Sequence, residues 1–332
     1  MSLKIIRPGL LTTIQDLGRF GYQKIGVLVS GAMDAYSLRL GNLLVGNEED
    51  LGALEVTLTG PTIEFTADTL IAITGGDLTP VIDGWPVASR RPVAVKAGAI
   101  LKFKGCAGGC RAYLTVAGGF EVPKVMGSQS TYLRAGLGGF KGRSIKSGDV
   151  LETGEPSEYG MQMLKQLLSR GARSFAAAHW CIGIVHTTPD KLNRPIRITT
   201  GLQFSAFTEK SKNALISEAF KVTTKADRMG YRLEGYKLEL AHPLEMISEG
   251  ATLGTIQAPP DGNPIILLAD HQSVAGYPKI GQVCIVDVAR VAQYKPGDTI
   301  RFEMISSEEA EALYIAKEKY MENVKIAVKG KL

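Results

Sequence analysis

The chain has 332 residues, of which 45% are hydrophobic and 21% charged, and its net charge is +5. That composition is globular and excludes a disordered chain, while the length points to two domains. Lys and Arg form no run of like charge and no stretch reaches ~18 apolar residues, so no nucleic acid and no membrane is expected as a partner.

Residues 3–6 read as a short strand stopped by Pro8-Gly9. A helix is predicted over residues 34–45, with Asp34 as N-cap, Leu38, Leu40, Leu43 and Leu44 on one face, and Gly46-Asn47 ending it. Strand signals then dominate: 54–58, 62–65, 69–74, 99–103, 112–117 and 149–152 are short, rich in β-branched or aromatic residues, and bounded by Gly, Pro or Asp. Residues 153–170 turn from polar to helical, and the stretch 171–193 holds the expected junction, giving domains 1–190 and 191–332. Further strands are predicted at 196–200, 231–233, 238–240, 265–268, 283–286 and 299–305, with 204–219 either helix or loop. A helix is predicted over 307–323: Ser306 and Glu309 make a capping box, and Ala310, Leu313, Tyr314 and Met321 share a face. Residues 325–332 are expected to form an edge strand or a loose tail. A Lys-x-Gly turn precedes a strand at Lys96, Lys146 and Lys295. Scattered glycines, short strands and few helices make the fold class mainly β, with barrel or sandwich domains.

The familiar nucleotide and hydrolase motifs are missing. There is no Gly-x4-Gly-Lys-Ser/Thr loop, no Gly-x-Gly-x-x-Gly between strand and helix, no His-Glu-x-x-His and no Gly-x-Ser-x-Gly. Cys106 and Cys110 have no second ligand pair nearby, so no metal is expected. Reduced thiols and the lack of a signal-peptide layout point to the cytoplasm. What remains is a set of polar residues among glycines, where backbone can approach a ligand. Asp16 and Arg19 are followed by Ser30 and Met33, and Gly76 and Asp77 offer an anion nest or a plain turn. Ser128, Ser130, Thr131, Arg134 and Arg143 combine hydroxyls with guanidinium forks suited to a carboxylate or phosphate. In the second half stand Arg228, Gln257, Asp270, His271, Gln272 and Tyr277. His271, after an apolar strand, is a candidate general base; a turn histidine is the bland alternative.

The phrases Arg7-Pro-Gly-Leu-Leu-Thr-Thr-Ile-Gln-Asp-Leu-Gly-Arg19, Ser30-Gly-Ala-Met-Asp34, Gly127 to Gly139, Asp227-Arg-Met-Gly230 and Leu268-Ala-Asp-His-Gln272 resemble the biotin-dependent carboxyltransferase or allophanate hydrolase subunit 2-like family, in particular its 5-oxoprolinase branch. The resemblance implies tandem cyclophilin-like β-barrel domains. It also implies an ATP-dependent 5-oxoprolinase complex in which the chain joins two partners, a KipI-like B subunit and an A subunit. Such a complex opens 5-oxoproline to glutamate, with magnesium accompanying ATP. In that picture Asp16, Asp270 and His271 are catalytic, and Arg134 and Arg143 hold phosphate or the substrate carboxylate. Two alternatives stand beside it. One is carboxyl transfer from carboxybiotin to urea or a related amide, which alone would bring in biotin. The other is a non-catalytic regulator that sequesters a KipI-like kinase inhibitor. Ala275 stands where a glycine is common in the family.

Overall fold

Short strands that cannot bury an apolar face alone pair into sheets here, and the computed structural model describes them over residues 1–171, 174–183 and 194–331. The chain divides into two compact units. One comprises residues 1–19, 30–188 and 319–332, the other residues 20–29 and 189–318. The division is thus not a single cut near residue 190.

The first unit has two six-stranded antiparallel sheets. One runs in the order Val150–Glu152, Ser2–Arg7, Thr62–Phe65, Ile100–Phe103, Pro80–Ile82, Trp85–Pro86. The other runs Phe175–Ala177, Val93–Val95, Thr69–Asp77, Gly108–Val116, Ala53–Thr57, Leu11–Gln15. Their apolar sides share one core that includes Leu3, Phe65, Ile71, Leu101 and Leu114, all buried. The helix Ala35–Val45 begins as the sequence predicts, with Asp34 Oδ1 accepting from the Ser37 N–H at 2.9 Å. It packs on the strands Thr69–Asp77 and Gly108–Val116. Gly41 permits that approach, since a Cβ there would stand 2.7 Å from Thr115 Cγ2.

The second unit is built on eight strands in the order Thr299–Ile300, Phe220–Val222, Gly230–Glu234, Ile265–Leu267, Thr255–Gln257, Lys279–Val283, Ile196–Thr200, Phe302–Met304. The strands at the two ends of this order are separated only by Arg301. One pairs antiparallel with Phe220–Val222, and the other pairs parallel with Ile196–Thr200. The sheet therefore bends round into a nearly closed barrel. A separate pair, Glu249–Gly250 with Val274–Ala275, stands outside it.

All three Lys-x-Gly turns form. Gly98, Gly148 and Gly297 have φ of 83°, 85° and 95°, and the next N–H returns to the lysine carbonyl, the type II pattern that favours glycine. Other expectations need correction. Residues 283–286 are not a strand: Lys279–Val283 ends there and the helix Ile285–Val291 follows. Residues 238–240 contribute only an isolated bridge, Phe207 with Leu240. The C-terminal helix runs from Ser307 to Lys329, through the stretch expected to be strand or tail. Met321, Val324 and Val328 form its buried stripe, whereas Tyr314 is exposed. Among the described residues no helix is long and apolar enough to cross a membrane.

Candidate functional site

The sequence clusters of the first unit meet around Asp16. Its Oδ1 accepts from the Gly18 N–H at 2.8 Å, from the Ser128 hydroxyl at 2.7 Å, and from the Ser130 hydroxyl. Its Oδ2 accepts from the Gln129 N–H. Arg19, fully buried, donates from Nε to the Val125 carbonyl and from Nη2 to the Ser130 carbonyl, both at 2.9 Å. Thr131 Oγ1 donates to the Ile14 carbonyl at 2.9 Å. Distant segments are thus fastened together by one carboxylate and one guanidinium. Asp16 was expected to be catalytic. With four donors on its two oxygens, it instead positions the loop 128–131, and the loop's hydroxyls are turned onto the protein.

Ser30 is different. It is buried, has φ of 56°, and its Oγ has no hydrogen-bond partner. Next to it the Ala32 N–H donates to the Asp16 carbonyl at 2.8 Å. Beneath Met33 lies a network that sequence reading missed. Glu55 Oε2 accepts from the Met33 N–H at 2.8 Å and from the Tyr113 hydroxyl at 2.7 Å, and that hydroxyl accepts from the Asp34 N–H at 2.7 Å. Burial, followed by the charges of Glu55 and Asp34, pushes Tyr113 well above its ordinary pKa. The available signal was a lone glutamate between two apolar residues, Leu54 and Val56, of one strand.

Two expectations in this unit need correction. Gly76 and Asp77 make no nest, because the strand Thr69–Asp77 continues through them and Asp77 pairs with Gly108. Asp77 Oδ1 accepts from the Thr79 N–H at 2.8 Å. Arg143 gives its fork to Asp149, with Nη1 and Nη2 at 2.7 and 2.8 Å from the two carboxylate oxygens, so it is not offered to a ligand. Arg134 lies exposed on the short turn Leu133–Ala135.

The Arg143 fork carries a pH prediction. Its hydrogen bonds, opposed by partial burial, hold the Asp149 carboxyl below its usual range. A depressed carboxyl stabilises the fold above the pKa of the unfolded chain, about 4, and loses that contribution as pH falls through the folded value. The stability gap between the unsubstituted chain and Arg143→Gln, measured by urea denaturation, is therefore expected at pH 7 and should narrow below about pH 4.

In the second unit, Asp270 and Arg228 form a buried two-point pair: Nε to Oδ2 at 2.9 Å and Nη2 to Oδ1 at 3.1 Å. The Asp270 N–H also donates to the Arg228 carbonyl at 2.8 Å. Asp270 too was expected to be catalytic; its carboxylate is committed to Arg228, so it holds the loop that carries the next residue. That residue, His271, is half-buried, with Nδ1 2.7 Å from the Gln272 carbonyl. Burial lowers its pKa, against the opposing pull of that carbonyl and of Asp270. In its neutral form His271 can accept a proton. Gln272 and Tyr277 are exposed, while Gln257 is buried and its Oε1 has no partner. Sequence reading passed over three neighbours. Lys279 Nζ is 2.8 Å from Glu249 Oε2, which also accepts from Gln203 Nε2 at 3.1 Å. A single lysine in the apolar strand Lys279–Val283 was the visible sign.

Comparison with known proteins fits this architecture. The family described as carboxyltransferase domain, subdomain A and B, matches residues 25–304. The chain belongs to that family. Among its relatives, the C subunit of 5-oxoprolinase from Haemophilus influenzae is 38% identical over 96% of both chains. The protein of the same name from Escherichia coli is 37% identical over 97% of both. Urea amidolyase of Saccharomyces cerevisiae is 37% identical over 94% of this chain but only 17% of its own length. The crystal structure of the K. lactis urea amidolyase superimposes with a TM-score of 0.83 at 32% identity, covering 97% of this chain and 20% of that one. The carboxyltransferase-domain family is the one expected from the phrases around Asp16, Ser30 and Asp270. What those phrases did not reveal is that two of their acidic residues hold the family's loops in place.

Proposed function

We propose that the chain belongs to a cytoplasmic, ATP-dependent 5-oxoprolinase complex, working with a KipI-like B subunit and an A subunit. The observation that carries this reading is the end-to-end match to the C subunit of 5-oxoprolinase, which spans 96% of both chains, whereas urea amidolyase is matched over 17% of its length. Chemistry supports the need for ATP. An unstrained lactam carbonyl is a poor electrophile. Transfer of the γ-phosphoryl group to the lactam oxygen forms an O–P bond, releases ADP and frees the ring N–H proton. One water then adds to the activated carbon, the C–N bond breaks to leave a free amine and a γ-glutamyl phosphate, and a second water displaces phosphate to give glutamate. In this chain His271 takes up the proton that activation releases, and the Arg228–Asp270 pair holds the loop that presents it. Magnesium, on this reading, arrives with the ATP phosphates, since the described residues gather no group of three or more metal-binding side chains.

The test is 5-oxoproline-dependent glutamate release by the chain alone, with the KipI-like partner, and with both partners. Glutamate from the full mixture only, unaffected by avidin, is the expected result. The structural likeness to urea amidolyase favours one second reading, carboxyl transfer from carboxybiotin to urea or a related amide. A urea-dependent activity blocked by avidin, with no glutamate from any mixture, would replace the first reading by the second.

A further inference from the structure

Lys279 is a lysine on the wrong side of its ion pair. Its side chain is 5% exposed, but that of its partner Glu249 is 44% exposed. Burying an ammonium is costly unless its partner is fixed, and here only the lysine is buried. Here the acid sits on the small strand pair outside the barrel, opposite Ala275. Gln203 spans the two, its Nε2 donating to Glu249 Oε2 and its Oε1 accepting from the Lys279 N–H, both at 3.1 Å. Across the barrel sheet, Gln257 is the register partner of Lys279, and its buried Oε1 accepts no hydrogen bond among the described residues. A buried acceptor without a donor is an uncompensated cost in the fold alone. One place therefore combines a buried cation covered by an exposed carboxylate, an amide donor already directed at that carboxylate, and an unpartnered acceptor.

We propose that Lys279, Gln203 and Gln257 form a subsite for a small carboxylate bearing an amide N–H, with Glu249 occupying the carboxylate position until the ligand displaces it. Resting on the proposed function, the ligand is 5-oxoproline. Its carboxylate takes the place of the Glu249 carboxylate on Lys279 and Gln203, and its ring N–H donates to Gln257 Oε1. A single ammonium flanked by neutral amides suits a monoanion rather than a phosphate. Urea has the N–H groups but no carboxylate, so the subsite rejects it.

The experiment is calorimetric titration of the full chain with 5-oxoproline, with urea as control, alongside thermal melting. The chain is expected to bind 5-oxoproline and not urea. Lys279→Met should weaken binding by about tenfold or more, as expected for loss of a charge-assisted hydrogen bond. Gln257→Leu should also lose affinity but melt no lower, because it removes an unpartnered group. Glu249→Gln should bind more tightly, since the internal competitor is gone. No binding by the unsubstituted chain, unchanged binding by Lys279→Met or Gln257→Leu, or weaker binding by Glu249→Gln would overturn the subsite. The proposed function fails separately. If the full mixture releases glutamate with the same KM when it carries Lys279→Met, the subsite falls and the function stands. Lys279-dependent binding in a chain whose mixture releases no glutamate has the opposite meaning.

Discussion

Asp270→Ala should lower the stability of the chain by about 3–5 kcal/mol, the usual cost of stranding one member of a buried ion pair. Arg228 is buried against this carboxylate through two hydrogen bonds, and the substitution leaves its guanidinium without that counter-charge. The double substitution Arg228→Leu/Asp270→Leu is expected to recover most of the loss, since two apolar side chains of similar bulk need no pairing. Urea denaturation of the single and double variants reads the difference. A single variant within about 1 kcal/mol of the unsubstituted chain, the range of surface ion pairs, would show that the pair is not desolvated as the geometry requires. The histidine next to it gives a second readout. If Asp270 is a positioning residue, the double variant regains stability but not glutamate release, because His271 loses the backbone that presents it.

Asp16→Ala is expected to be as damaging, for a different reason. The carboxylate gathers the N–H groups of Gly18 and Gln129 and the hydroxyls of Ser128 and Ser130. Removing it leaves several buried donors unmet, at about 1–3 kcal/mol each before relaxation. The loop should loosen before the core does, since the β-sheets have their own packing. Trypsin reports on this directly: Lys124 is exposed, a few residues ahead of the anchored segment. Cleavage after Lys124 is expected to accelerate severalfold in Asp16→Ala while the core melts cooperatively. Cleavage at the unsubstituted rate would mean that Arg19, through Val125 and Ser130, holds the loop alone.

Much of the fold was legible because its signals are local. Asp34 and Ser306 each cap a helix from their own side chain, the latter with Glu309 accepting in the reciprocal contact. Gly98, Gly148 and Gly297 mark turns that other residues rarely make. The errors fall where tertiary packing decides. Residues 283–286 are as β-branched as any strand in the chain, yet Asp287 accepts from the Arg197 backbone and side chain and draws the segment into a helix. The site shows the same division. The sequence displays which polar residues cluster among glycines, and family likeness follows from that display. It does not display which acid is consumed by which donor. That Asp16 and Asp270 are held by Ser128 and Arg228 was not visible, because those partners lie 112 and 42 residues away. Glu55 and Lys279 were overlooked because a single charge in an apolar strand reads as its solvent face.

The barrel of the second unit ends where it begins, in one strand bent at Arg301. A sheet this close to closure leaves few free backbone donors and acceptors along its margin, so it offers another protein little to extend by adding a strand. A partner that recognises this barrel has to read side chains and loops. The sheets of the first unit do have margins, and one of them is the two-residue strand Trp85–Pro86, where proline withholds an N–H and the indole stands in solvent. Strand pairing is thus discouraged at this margin of the first unit by a blunted edge, and around the second unit by near-closure.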